Sequence, residues 1–149
     1  MAAAATAVLA VGCQNAEPIG SATPLSSEVS TSRIAQPAGQ FTLQGAILEK
    51  FLDTGSASGP LGQPISDEQA GPNGGRYNKF QSGVVYWTAQ TGAHIMQGKI
   101  RAAWEDTGGA GGPLGYPTTD EIVIAGGSRA EFQHGVITVI DGEPRVEIR

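Results

Sequence analysis

The chain has 149 residues and a formal net charge of −5 at pH 7, with no run of Lys or Arg, so nucleic acid and bare anionic membrane are poor partners. Gly fills 22 positions, charged residues make up 15% and aromatics 6%, a balance that favours turns and short elements over long helices. The single cysteine, Cys13, excludes an intrachain disulfide, and no apolar stretch is long enough to span a bilayer as a helix.

The chain opens with the apolar run MAAAATAVLAVG directly ahead of Cys13. This resembles a bacterial lipoprotein signal. Residues 1–12 are then a cleaved signal peptide, the small Gly12 lets the peptidase reach the backbone, and Cys13 carries the lipid. The alternative is an Ala-rich start with an incidental thiol. Residues 14–40 are rich in Ser, Thr, Ala and Pro, with little apolar periodicity. With Cys13 they make residues 13–42 a tether, whose mean span as a flexible coil is roughly 30 Å. That length suits lifting a domain off a membrane surface.

From Leu43 onward the sequence says the same thing twice. SGPLGQPISDE (Ser58 to Glu68) and GGPLGYPTTDE (Gly111 to Glu121) share Gly, Pro, Leu, Gly, Pro, Asp and Glu at one spacing. QGAILEKFLDTG lies over QGKIRAAWEDTG in the same way, and GGRYNKFQSGVVYW over GGSRAEFQHGVITV after a one-residue deletion. The predicted architecture is α+β, with tandem repeats over residues 43–95 and 96–149. Each holds a short helix, a Gly/Pro-rich loop and a β-hairpin or three-stranded meander.

Each copy begins with a helix. Leu43, Ile47 and Phe51 recur every four residues, as do Met96, Ile100 and Trp104, so each trio shares one face. Trp104 thereby corresponds to Phe51 and is predicted to be core. Leu48 and Leu52 form a second apolar stripe on the first helix, where the second carries Arg101 and Glu105. Such a stripe calls for a partner, either the other repeat or a second chain in a homodimer. Thr54-Gly55 and Thr107-Gly108 end the helices.

The doubled motif then forms a rigid connector. Pro60 and Pro113 fix φ, Gly62 and Gly115 allow positive φ, and Leu61 and Leu114 can plug the loop into the core. The acidic pairs Asp67-Glu68 and Asp120-Glu121 fit loop caps better than catalysis, because adjacent carboxylates diverge and both copies have them. A hairpin follows. With Ser82-Gly83 and His134-Gly135 as two-residue turns, Phe80 faces Val85, Lys79 faces Tyr86 and Phe132 faces Ile137. One face, with Phe80, Val85 and Trp87 or Phe132, Ile137 and Val139, is apolar in both copies and is predicted to be core. The opposite face carries Tyr77, Lys79, Gln81, Tyr86 and Thr88 in the first copy and Arg129, Glu131, Gln133 and Thr138 in the second. Tyr rings beside amide and Lys groups suit sugar faces and hydroxyls. An ordinary wet sheet face has much the same composition. The segment TAQTGAHIMQG leads from strand to second helix, and TVIDGEPRVEI turns comparably at Asp141-Gly142.

Leu61-Gly62-Gln63-Pro64 and Leu114-Gly115-Tyr116-Pro117 resemble the Leu-Gly-Phe-Pro core of the LGFP repeat family, and GGRYNKFQSGVVYWTAQTGAHIMQGKI resembles the segment between its motifs. Tyr116 is a mild change from Phe; Gln63 is a real departure. The resemblance implies a protein of the envelope of actinobacteria with mycolic-acid walls. It implies a non-catalytic module that holds to wall polysaccharide, as when appended to mycolyltransferases or peptidoglycan amidases. The expected ligand-binding set is Tyr77, Lys79, Tyr86, Thr88 and Tyr116, with lipid on Cys13.

Three functions follow. The first is a lipid-anchored, extracytoplasmic binder of cell-wall glycan, either arabinogalactan or peptidoglycan. The second is a scaffold that recruits an envelope enzyme. The third is a wall hydrolase, for which the sequence offers little: no GxSxG elbow, no HExxH, no second cysteine, and His94 and His134 at unrelated repeat positions. No cofactor or metal is implied.

Overall fold

The computed structural model describes residues 31–36 and 39–149. Cys13, the expected signal peptide and the tether through residue 30 lie outside the described residues. Chain order then gives β1 (Thr31–Gln36) and β2 (Gly39–Gln44), an antiparallel hairpin pairing Thr31 with Gln44 and Ile34 with Phe41. The tether was expected to run to residue 42, but its last part is this hairpin. Ile34 packs against the first core and Leu43 is fully buried. Period-two alternation, not helical periodicity, carries the signal there.

Helix α1 (Gly45–Asp53) follows, then a short 3-10 turn and the strands β3 (Gln69–Ala70), β4 (Arg76–Lys79), β5 (Val84–Thr88) and β6 (Gly92–Met96). The second half runs through α2 (Gly98–Asp106), another 3-10 turn, β7 (Ile122–Ile124), β8 (Gly127–Phe132), β9 (Gly135–Ile140) and β10 (Glu143–Ile148). The strands form two four-stranded antiparallel sheets, β3-β4-β5-β6 and β7-β8-β9-β10. The content is α+β as expected. Each sheet has one strand more than a three-stranded meander, because the acidic pairs lead into the short edge strands β3 and β7. No helix among the described residues is long and apolar enough to cross a membrane.

Two hydrophobic cores lie side by side. The first joins Leu43, Ile47, Leu48 and Phe51 to Leu61, Phe80 and Val85. The second joins Met96, Ile100, Ala103 and Trp104 to Leu114, Phe132, Ile137 and Val139. Phe51 stacks on Phe80 at 5.2 Å between ring centroids, and Trp104 stacks on Phe132 at 5.7 Å. The predicted helix faces are therefore the packed ones, with one correction. Leu43 and Met96 belong to the ends of β2 and β6, and only the later members of each trio are helical. Leu48 is buried within the first core, so only Leu52 of the expected second stripe is exposed.

The motif loops behave alike. Gly62 and Gly115 have φ of +70° and +69°, and Leu61 and Leu114 are fully buried. Gln81 Oε1 accepts the Gln63 N–H at 3.0 Å, and Gln133 Oε1 accepts the Tyr116 N–H at 2.9 Å. Each loop is thus pinned to the hairpin above it.

The hairpin register differs from expectation by two residues. Lys79 faces Val84, Tyr77 faces Tyr86, and Ala130 faces Ile137. The turns are Gln81-Ser82 and Gln133-His134, with the Phe80 N–H donating to the Gly83 carbonyl at 2.8 Å. The glycines are needed for closeness and not for turning. A Cβ on Gly83 would sit 3.2 Å from Leu61, and one on Gly135 2.6 Å from Leu114. Since a shift of two preserves side-chain alternation, both apolar faces remain as predicted. The Asp141-Gly142 turn joins β9 to β10 as expected.

Candidate functional site: the cleft between the halves

Tyr116, Tyr86 and Asp120 each make a contact that joins the halves. Tyr116, in the second motif, reaches the glycine-rich loop between β3 and β4, where its hydroxyl donates to the Pro72 carbonyl at 2.7 Å. A Cβ on Gly71 would stand 2.5 Å from that hydroxyl, and one on Gly75 would overlap the ring itself. The loop can therefore cradle the ring only because it lacks side chains. Burial, and then the Tyr77 hydroxyl, push the ionisation of Tyr116 above the usual tyrosine value.

Tyr86 makes the second contact. Its ring meets Trp104 of the other half edge-on at 4.6 Å, and Tyr77 stacks on its other side at 5.5 Å. Burial first, then the Glu105 carboxylate, push the Tyr86 hydroxyl up to about 12, with Arg101 pulling the other way.

Asp120 makes the third. It pairs with Lys50 of α1, accepts the Ile95 N–H at 2.8 Å, and stands 3.5 Å from His94 Nδ1. Burial opposes its ionisation, but His94, Lys50 and the Ile95 N–H outweigh it and hold the carboxyl well below the usual carboxylate range. Asp67 is its counterpart and accepts the Thr42 N–H at 2.7 Å. Both motif aspartates thus cap the backbone just ahead of Leu43 and Met96, the loop-cap role expected of them.

Beside the Tyr116 contact lies a cleft of about 350 Å³, lined by Asn73, Thr88, Gln90, Tyr116, Gln133 and His134 among others. Asn73, Gln90 and His134 are exposed. Gln133 Nε2 reaches across to Gln90 Oε1 at 3.4 Å. Amide, hydroxyl and imidazole groups converging on a wet cleft offer both donors and acceptors, which matches a ligand rich in hydroxyls.

The five residues of the expected ligand-binding set do not share one exposed surface. Tyr77 and Tyr86 touch each other, but Tyr86 is packed on Trp104 and the Tyr77 hydroxyl donates to Gln69 Oε1 at 2.7 Å. Tyr116 is 2% exposed and Thr88 is 8% exposed, its hydroxyl engaged by Thr91. Lys79 alone is exposed. The reason is tertiary: this sheet face meets the second half, so its aromatic rings are used for packing. Thr88 and Tyr116 nevertheless reach the cleft. Asn73, Gln90, Gln133 and His134 were not singled out as ligand groups. The recurrence of Gln81 and Gln133 as the first residue of each turn is the available signal. Among the described residues no group of three or more His, Cys, Asp or Glu side chains could hold a metal ion.

Residues 61–112 match the family model of the LGFP repeat, which points to a cell-surface-associated repeat protein. The matched segment runs from Leu61 through the first sheet and α2, so it is out of phase with the cores, where each helix packs on the sheet that follows it. No curated protein matches the chain.

Proposed function

We propose, from the premise that residues 61–112 carry an LGFP repeat, that this chain is a tandem pair of such repeats serving as a non-catalytic binder of envelope glycan. The packing units of the pair are residues 43–95 and 96–149. Cys13 carries a lipid that anchors the protein to the outer face of the membrane, and the segment after it holds the pair toward the wall. The observation that carries the reading is the polar cleft at the joint, where amides from both halves converge. The capping roles of Asp67 and Asp120 support the absence of catalysis, because these carboxylates are occupied by backbone N–H groups.

A second reading is a scaffold that recruits a wall enzyme such as a mycolyltransferase or amidase. It is favoured by the edge strand β7, where Ile122 is 49% and Val123 is 85% exposed.

Sedimentation with purified arabinogalactan, peptidoglycan and delipidated wall separates the two. The glycan reading expects the protein in at least one pellet, and a Gln90→Ala/Asn73→Ala variant to bind more weakly by about 0.5–1.5 kcal/mol per hydrogen bond lost. Absence from every pellet, together with capture of envelope proteins through Val123, would favour the scaffold.

A further inference from the structure

Helix α1 starts without help. Its N-cap residue Gln44 makes no side-chain capping bond, and its first turn holds no acidic residue. The first N–H groups of a helix have no intrahelical partner, so a first turn facing a cavity presents donors. The first turn lines a cavity of about 300 Å³, with Gly45 and Ala46 on one side and Glu68, Arg76 and Trp87 around it. That volume lies at the lower end for small-molecule sites.

Glu68 gives the second and independent indication of a ligand. Its side chain is only 6% exposed. One carboxylate oxygen, Oε1, accepts from Arg76 Nε, while Oε2 has no hydrogen-bond partner among the described residues. A buried carboxylate oxygen without a donor is costly, and a native protein keeps one mainly where something else supplies the hydrogen bond. Trp87 lies directly across the strand pair from Arg76, and its half-buried indole borders the same cavity.

The second half shows that the fold does not need this arrangement. The positions matching Arg76 and Trp87 are Ser128 and Val139, in a sheet of the same strand order. Val139 is 6% exposed and belongs to the second core. Arg76 and Trp87 are therefore particular to the first half.

We propose that this cavity binds a single sugar residue of an envelope glycan. An aromatic face suits the apolar side of a pyranose ring, the free Glu68 oxygen accepts from one hydroxyl, and Arg76 or the first-turn N–H groups donate to a neighbouring one. The choice of a glycan as the source rests on the proposed function, but the pocket is separate from the cleft between the halves.

The two tryptophans make the test selective. Trp104 is fully buried, with its indole N–H donating to the Gly115 carbonyl at 2.9 Å, whereas Trp87 borders the cavity. A nitrogen–proton correlation spectrum of the full chain shows one indole signal for each, assigned with Trp87→Phe. The probes are methyl β-glucopyranoside, methyl β-galactopyranoside and N-acetylglucosamine. At least one should move the Trp87 signal saturably and leave Trp104 in place. Glu68→Gln, which keeps the side-chain shape, should weaken that sugar by about tenfold or more, as for a lost hydrogen bond to a charged group. The Gln90→Ala cleft variant should titrate like the native chain. A Trp87 signal unmoved by all three sugars overturns the proposal, as does equal affinity in a Glu68→Gln protein whose Trp104 signal is native. Pelleting with wall material is read separately, so loss of one site is distinguishable from loss of the other.

Discussion

The two Leu-Gly-x-Pro cores share a backbone and differ at one side chain. Gly62 and Gly115, Leu61 and Leu114, and the pinning glutamines Gln81 and Gln133 are equivalent in geometry. The third motif position is Gln63 in the first loop and Tyr116 in the second. Tyr116 has a cradle to enter, the Gly71–Gly75 loop of the preceding half. What precedes α1 is the β1–β2 hairpin, which offers no such loop among the described residues. The comparison teaches that the aromatic position of the motif couples a unit to the one before it, while the rest of the motif holds its own unit together. Gln63 then belongs to a unit preceded, among the described residues, by a two-stranded hairpin and not by a four-stranded sheet with a glycine-rich loop.

The strongest perturbation of this arrangement is Trp104→Ala. Trp104 fills the second core and is also the partner of Tyr86, so its loss should cost about 3–5 kcal/mol, read by denaturant unfolding. The side chain is large enough that a more modest loss would mean the halves collapse around the void.

Gly75→Ala comes next. The new methyl group would overlap the Tyr116 ring, and overpacking of this kind should cost about 1–3 kcal/mol. Gly74→Ala is the comparison: a Cβ there meets nothing within 4 Å, but Gly74 has a φ of +78°, so its cost is backbone strain alone. Gly75 has an ordinary φ of −74°, so the cost of its variant comes from the Tyr116 ring and not from the backbone. Gly62→Val and Gly115→Val sharpen the comparison from the other side. Both glycines have positive φ, and their added Cβ atoms would meet Gln81 Oε1 at 2.7 Å and Gln133 Oε1 at 2.6 Å. The two should destabilise nearly equally, by about 1–3 kcal/mol, because this part of the motif serves each half alike.

The smallest expected effect is that of pH on Asp120. Its carboxyl is held below the usual range in the folded protein, so it binds protons less readily folded than unfolded. The stabilisation it gives is complete above the ordinary carboxylate value of about 4 and is lost as pH falls from there toward the depressed folded value. Thermal melts of native protein and Asp120→Asn should therefore differ at neutral pH and converge in acid.

Much of the fold was legible in the sequence because it repeats. The helix faces through Ile47, Phe51, Ile100 and Trp104, the plugging leucines and the Asp141-Gly142 turn each rest on a local period or a paired Gly/Pro signal. The β1–β2 hairpin was missed because its apolar positions alternate within a Ser- and Pro-rich background. The register was missed by two because Gly83 and Gly135 look like turn residues, while their lack of a side chain serves the leucines beneath them. The site was harder. Alternation correctly placed Tyr77 and Tyr86 on one face, but only tertiary structure reveals that the face is covered by Trp104. Trp87 lies on the apolar face and packs there as expected, yet it also borders a cavity.

Sedimentation of three proteins with delipidated wall, arabinogalactan and peptidoglycan tests the central claim most directly: native chain, Gln63→Tyr and Tyr116→Gln. The cleft is lined from both halves, and Tyr116 both lines it and, with Tyr86 and Asp120, holds the halves together. The native chain and Gln63→Tyr should pellet with the same material. Tyr116→Gln should pellet less than either while its circular dichroism remains that of a folded protein. Failure of the native chain to pellet with any of the three, or equal pelleting of all three proteins, would contradict the account.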